Sequence, residues 1–160
     1  MESDITATAR VTAAWRARET ARADPLFHDP WAAALAGPES IATLTAQPSD
    51  QQERASSYTI VRTRVFDDWL LSRTDCRQIV LLGAGFDTRA FRLSWPIGTQ
   101  IWELDQAQVF AAKEAALAAV PTDSGCAHRH TVVADLASDR WPALLAAADF
   151  RWSTAKYWEG

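Results

Sequence analysis

The segment best suited to chemistry covers residues 81–91 and reads LLGAGFDTRAF. An apolar run that ends in Gly-x-Gly lets the backbone approach a ligand, because side chains at Gly83 and Gly85 would collide with it. A dinucleotide site requires a third glycine at position 88, where this chain has Thr88, so a nicotinamide or flavin oxidoreductase is disfavoured. A tight turn between a strand and a helix, without a ligand, is the alternative interpretation.

Acidic residues stand at the ends of the next two apolar runs. Asp105 lies 20 residues after Gly85, where a carboxylate at the tip of a second strand can accept hydrogen bonds from both ribose hydroxyls. Glu103 shares the strand face of Asp105, so either residue is a candidate, and one of them could instead cap the following helix. Asp135 and Leu136 end the third run. Ligands of open parallel sheets bind beyond the carboxyl ends of the strands, so these positions are expected to converge there.

Strands and helices that would position these residues alternate in the second half of the chain. Short apolar runs predict strands at 78–82, 100–104, 130–134 and 154–158, with helices at 88–93, 106–119 and 141–148. Before these strands, helical patterns predict three helices, at 1–24, 31–36 and 56–71. Asp29 would be the N-cap of the second helix, and residues 45–54 would form a polar loop before the third. We therefore predict an α/β fold with a Rossmann-like parallel sheet. Residues 1–75 would form an N-terminal helical region and residues 76–160 the ligand-binding region of one domain.

The composition excludes several other classes of protein. The chain has 160 residues, a net charge of −4 and no basic run, so a nucleic-acid partner is not expected. No apolar stretch approaches the ~20 residues of a membrane span, and the N-terminus does not resemble a secretion signal, so a cytoplasmic location is predicted. Cys76 and Cys126 lack the spacing of metal ligands, and no metal site is predicted.

In their order along the chain, these segments resemble the leucine carboxyl methyltransferase family of S-adenosyl-L-methionine-dependent enzymes, particularly its bacterial branch. The matching segments are AWRARETARADPLFHDPWAAALAG, VRTRVFDDWL, LLGAGFDTRAFRL, WELDQ, ADL and YWEG. Asp87 stands where the common methyltransferase loop has its third glycine, which is typical of this family. The resemblance implies a class I methyltransferase fold with S-adenosyl-L-methionine as the co-substrate.

The resemblance also implies which residues bind the methionine portion of the donor. Arg62 would hold the methionine carboxylate, and Arg18 would be a second basic residue near that group. Gly83 and Gly85 would pass under the methionine portion, and Glu159 would lie near its amino group. Without the resemblance, a solvated helix face is the alternative interpretation of Arg62.

At the nucleoside end, Asp105 would hold the ribose, and Asp135 with Leu136 would frame the adenine. The implied reaction is transfer of a methyl group to a carboxylate or hydroxyl oxygen, with a small molecule as the expected acceptor. Because a sulfonium is already a good leaving group, no catalytic acid or base is assigned in this chain.

The chain ends at Gly160, directly after the fourth predicted strand. Parallel sheets normally carry helices on both faces, and members of the family continue past this point through further strands. The sequence is therefore expected to be the front part of a larger fold, truncated after the fourth strand and carrying mainly the donor-binding half. The alternatives are a non-catalytic remnant and a subunit of a split enzyme. The uncovered edge of the last strand could lead the chain to self-associate or to pair with a C-terminal half.

Overall fold

The computed structural model of the chain describes residues 4–45, 49–118, 120, 127–154 and 156–159, the last four through their backbone. Three helices come first: α1 (Asp4–Thr20), α2 (Ala32–Thr45) and α3 (Asp50–Ser72). Strands and helices then alternate as β1 (Gln78–Leu82), α4 (Arg89–Arg92), β2 (Gln100–Asp105), α5 (Ala107–Leu117), β3 (His128–Val133), α6 (Trp141–Ala147) and β4 (Lys156–Glu159). The predicted α/β class is confirmed.

The four strands form one parallel sheet in the order β3-β2-β1-β4. In the register of this sheet, Val80 of β1 lies between Trp102 of β2 and Trp158 of β4. All four strands run in the same direction, so their carboxyl ends lie along one edge. The predicted Rossmann-like parallel arrangement with helices before it is confirmed.

The central strand β1 is buried on both faces, which explains its unbroken apolar sequence. Val80 packs on one face with Trp102, Leu145 and Phe150. On the opposite face, the neighbouring Ile79 and Leu81 pack with residues of α3 and α4 and of the connection after α4. This alternation is the period of two that a strand requires.

Helix α2 extends further than the sequence predicts, because two helical segments join across a kink. Gly37 has φ 74°, a left-handed conformation that glycine adopts without strain, and Pro38 begins the second segment. The kink replaces the predicted helix end, and the second segment continues to Thr45.

Helix α3 also begins earlier than expected, inside the stretch predicted as a polar loop. Ser49 is its N-cap and accepts a hydrogen bond from the backbone of Gln52, whose side chain accepts in turn from the backbone of Ser49. This capping box stabilises the first turn despite its polar sequence. At 23 residues α3 is the longest helix, but no helix in the described ranges combines enough length and apolar character to cross a membrane.

Candidate functional site

A cavity of about 540 Å³ opens beyond the carboxyl ends of β1, β2 and β3. This volume lies in the ordinary range for sites that bind small molecules. Six of the eight residues singled out from the sequence line it, namely Arg62, Gly83, Gly85, Asp105, Asp135 and Leu136. The loop after β1 and the tips of two neighbouring strands therefore meet in one crevice, while the binding role of each residue stays a prediction.

The glycine loop follows β1, and the carboxylate at the tip of β2 holds it in place. Gly83 and Gly85 have φ values of 62° and 51°, where a side chain would be strained. Asp105, only 7% exposed, accepts hydrogen bonds from the backbone N–H of Gly85 at 2.6 Å and of Gln106 at 2.7 Å, one on each oxygen. Asp105 thus fixes both the loop and the start of α5. About half of its acceptor positions remain for a ligand.

Glu103, the other acidic candidate on β2, does not line the cavity. Its side chain is fully buried, and its Oε2 accepts from Nζ of Lys113 at 2.7 Å and from Nη2 of Arg129 at 2.8 Å. Burial by itself would lower the pKa of Arg129, but the carboxylates of Glu103 and Glu114 outweigh it and raise that pKa. Glu103 therefore joins β2 to α5 and β3, and Asp105 is the acidic residue of β2 at the site.

The loop after β3 contributes Asp135 and Leu136. Asp135 is exposed, and its Oδ1 accepts from the backbone N–H of Ala137 at 3.0 Å, which shapes the turn. A Cβ built at Gly83 would lie 4.0 Å from Cδ1 of Leu136. The Leu136 side chain therefore faces the glycine loop and gives the cavity an apolar wall.

Four arginine side chains also line the cavity: Arg16, Arg62, Arg89 and Arg92. Nη1 and Nη2 of Arg92 bind the carboxylate of Asp67 in α3 at 2.5 and 2.8 Å, and Nε of Arg89 binds the same carboxylate at 2.8 Å. These buried ion pairs attach the short helix α4 to α3. Arg62 is exposed on α3, with its guanidinium 5.4 Å from the ring centroid of Phe66.

Asp87 lies at the end of the glycine loop and pairs with Arg89. Its Oδ1 accepts from the backbone N–H of Arg89 and its Oδ2 from Nη1 of the same residue, both at 2.7 Å. Burial alone would raise the pKa of this carboxyl, but the positive charges of Arg89, Arg92 and Lys113 and the backbone hydrogen bond outweigh it. The pKa of Asp87 is lowered to about 2, so the group is ionised at neutral pH.

Arg16 is a residue of the site that the sequence interpretation missed. Its Nη2 donates to the carbonyl oxygen of Phe86 in the glycine loop at 2.6 Å, and its Nε pairs with Oδ2 of Asp29 at 2.9 Å. Thr12 lines the cavity from the same face of α1, one turn before Arg16. The sequence alone held no signal that separates Arg16 from Arg18, because only the orientation of α1 places Arg16 at the cavity.

Arg18, predicted near the methionine carboxylate, lies on another side of α1. Its guanidinium donates to Oγ of Ser56 at 2.8 Å and contacts Glu53 at 3.5 Å, and Arg18 is not among the residues that line the cavity. Two residues along a helix correspond to about 200° of rotation, which turns Arg18 away from the position of Arg16. The structure therefore places Arg18 outside the cavity lining, and its role near the methionine carboxylate stays a prediction.

Asp29 does not use its side chain as the N-cap that the sequence suggests. Its backbone carbonyl accepts from Ala32 N–H at the start of α2, whereas its Oδ2 accepts from Arg16 and from the hydroxyl of Thr88 at 2.7 Å. A hydrogen bond to a charged partner stabilises by about 1.5–3 kcal/mol, more than the ~1 kcal/mol of a typical cap. Asp29 thereby connects α1 and the segment before α2 to the glycine loop.

The side chain of Glu159 lies outside the described residues. The backbone of β4 pairs Glu159 with Leu81, which lines the cavity. The backbone of Glu159 therefore lies near the carboxyl ends of the strands, where the cavity opens. Its contact with a ligand stays a prediction. Within the described ranges, no group of three or more His, Cys, Asp or Glu side chains is arranged to hold a metal ion.

Residues 9–160 match the leucine carboxyl methyltransferase family. A protein of Mycobacteroides abscessus, named as a candidate S-adenosyl-L-methionine-dependent methyltransferase, is 42% identical over 92% of this chain and 52% of its own length. A protein with the same description from Parafrankia sp. is 42% identical over 94% of this chain and 51% of its own length. Another, from Mycolicibacterium smegmatis, is 39% identical over 99% of this chain and 55% of its own length. The chain thus spans about half the length of the curated relatives it matches. Over nearly all of its own length, it belongs to the leucine carboxyl methyltransferase family.

Proposed function

We propose that this chain forms the donor-binding part of an S-adenosyl-L-methionine-dependent methyltransferase that methylates a carboxylate or hydroxyl oxygen of a small molecule. The observation that carries the proposal is the shared cavity, where the glycine loop meets the acidic tips of β2 and β3. The names of the relatives support the choice of methyl donor. A cytoplasmic location remains part of this proposal.

The nucleoside end of the donor fits the strand tips. The oxygens of Asp105 each accept one backbone N–H, and a carboxylate offers about four acceptor positions, so two remain for the ribose hydroxyls. Asp135 and Leu136 lie beside them, with a carboxylate for an exocyclic amine and an apolar surface for the adenine ring. Gly83 and Gly85 have no side chains to occupy this space, and their positive φ values would strain a residue that had one.

The charge of the site also fits the donor. Four guanidiniums line the described part of the cavity, and the carboxylates of Asp29, Asp67 and Asp87 pair with those of Arg16, Arg89 and Arg92. Asp105 and Asp135 add two carboxylates to the cavity wall, where they accept hydrogen bonds from backbone N–H groups. S-adenosyl-L-methionine carries one net positive charge, from its sulfonium, ammonium and carboxylate groups. We propose that the exposed guanidinium of Arg62 receives the donor carboxylate, since guanidinium binds this planar group with two parallel hydrogen bonds.

In this mechanism the residues of the chain bind and orient, and none is assigned as an acid or base. The donor supplies a methyl group on a sulfonium leaving group, and a carboxylate acceptor is already ionised at neutral pH. Correct alignment of two bound reactants can lower a barrier by roughly 7–11 kcal/mol. Asp105 and Arg62 would fix the two ends of the donor and so set the direction of its reactive group.

Titration calorimetry with S-adenosylhomocysteine, S-adenosyl-L-methionine and NAD tests the proposal. We expect the two adenosyl ligands to bind, and NAD not to bind, because the buried Thr88 occupies the position of the third glycine. We also expect these 160 residues to bind more weakly than the Mycobacteroides relative, because the match covers only 52% of that relative.

The Asp105→Ala variant should lose binding, because it removes the proposed ribose acceptor and one anchor of the loop. Asp139→Ala is the matched control, since Asp139 is exposed and does not line the cavity. Equal affinities in Asp105→Ala and the wild type would refute the site. Binding without formation of S-adenosylhomocysteine from mixed small carboxylates and alcohols would favour the non-catalytic or split-enzyme alternative.

A further inference from the structure

The outer face of α3 carries an apolar stripe that no described part of the chain covers. Tyr58, Val61 and Val65 are 70%, 54% and 57% exposed, and they follow one another at spacings of three and four residues. Such spacing places side chains on one face of a helix. The buried residues of α3 include Thr63, which lies about 200° around the helix axis from Val61. The stripe therefore faces away from the core on which α3 packs.

Residues of opposite charge flank this stripe at equal distances. Arg54 lies seven residues before Val61 and Asp68 lies seven residues after it, and both side chains are exposed. Seven residues correspond to nearly two full turns, so the three side chains share one face, with each charge roughly 10 Å along the helix from Val61. Asp68 also accepts from Nε of Arg64 at 2.7 Å, and a carboxylate retains acceptor positions beyond that contact. The stripe thus has a positive end, an apolar centre and a negative end.

This order of charges is complementary to itself in one orientation. When the stripe of a second copy lies antiparallel, with Val61 against Val61, Arg54 of each copy stands opposite Asp68 of the other. A parallel arrangement opposes like charges instead. A two-fold axis through Val61 produces the antiparallel arrangement and uses the same surface of both copies, which is the commonest symmetry of homo-oligomers. The charges therefore favour a second copy of this chain as the partner of the stripe.

We propose that this chain forms a homodimer in which the outer face of α3 packs antiparallel against α3 of a second copy. The interface removes the apolar stripe from water and forms the Arg54–Asp68 pair twice. Leu26 extends the apolar area, because its side chain is 45% exposed and its carbonyl oxygen accepts from Arg64 beside the stripe. One helix face is small compared with the roughly 800 Å² per partner of a standard interface, so the dimer should dissociate on dilution.

Sedimentation equilibrium of the 160-residue chain over a range of concentrations tests this interface. We expect a monomer–dimer equilibrium in the wild type. Arg54→Glu and Asp68→Arg should each weaken dimerisation about tenfold or more, because symmetry opposes like charges at two places in every dimer. An equimolar mixture of the two variants should regain the affinity of the wild type, since both pairs across the interface again have opposite charges. This recovery also shows that both variants are folded.

Arg151→Glu and Asp139→Arg are the matched controls, because they make the same charge changes at exposed residues outside α3 and should leave the dimer unchanged. A wild-type chain that stays monomeric at every concentration would overturn the proposal. A dimer that persists unchanged in Arg54→Glu and Asp68→Arg would also overturn it, and is the result expected for pairing through the open edge of β4. Weakening in both variants without recovery in their mixture would refute the antiparallel arrangement.

Discussion

The hydroxyl of Thr88 offers a direct test of how the glycine loop is held. Thr88 is 1% exposed, donates to Oδ2 of Asp29 at 2.7 Å and accepts from Nε of Arg92 at 3.2 Å. The Asp29 side chain is fully buried and its Oδ1 has no hydrogen-bond partner, so the carboxylate depends on the two donors to Oδ2, Arg16 and Thr88. Thr88→Val keeps the shape of the side chain and removes one of them.

A hydrogen bond to a charged group contributes about 1.5–3 kcal/mol, and Arg92 loses an acceptor as well. We therefore expect Thr88→Val to lower the free energy of unfolding by about 2–3 kcal/mol, or Tm by roughly 4–12 °C for a chain of this size. Thr88→Ser is the control, because it keeps the hydroxyl and loses one methyl group, at about 1 kcal/mol. Urea denaturation and thermal unfolding of both variants measure the difference. If the valine variant is as stable as the serine variant, the loop is not held by this hydrogen bond.

Two further predictions concern the charges around the site. Lys113→Met should lower the free energy of unfolding by about 3 kcal/mol, because it removes one of the two cations that contact the fully buried Glu103. Urea denaturation measures this change, and a value below about 1 kcal/mol would show that the Lys113–Glu103 pair is not important for stability. For Asp87, the folded-state pKa of about 2 lies below the 3.8 of an unperturbed aspartate, so its ionised form stabilises the fold fully above about pH 4 and progressively less as pH falls toward 2. Between pH 4 and pH 2 the wild type should therefore lose more stability than Asp87→Asn, and parallel stability curves would argue against the ion pair.

The sheet and the core of the site were predictable because local sequence alone specifies them. The unbroken apolar run of β1 and the Gly-x-Gly after it are typical of a buried strand followed by a tight turn. Asp105 and Asp135 follow the next strands, and a parallel sheet brings such tips to one edge. The distinction between Asp105 and Glu103 was not predictable, since both lie on one face of β2. Only the packing of α5 shows that Glu103 is covered while Asp105 reaches the loop.

The N-terminal half was harder to predict because its polar residues act over long distances in the chain. Asp29 has the type and position of an N-cap, yet its partners Arg16 and Thr88 lie 13 and 59 residues away. Arg16 and Arg18 are equally basic, and only the orientation of α1 decides which of them faces the cavity. The kink at Gly37 likewise depends on whether a second helical segment finds a surface to pack on.

The bridge that Arg16 makes between Asp29 and the carbonyl of Phe86 has a consequence for how this region of the family can vary in length. One residue inserted into α1 rotates every following side chain by about 100° around the helix axis. A single insertion between Thr12 and Arg16 would therefore carry the guanidinium off both acceptors, which lie 13 and 70 residues further along the chain. Substitutions on the outer surface of α1 leave the bridge intact. Gaps in an alignment of relatives should accordingly fall before Ile5 or after Thr20 and spare the turns between them.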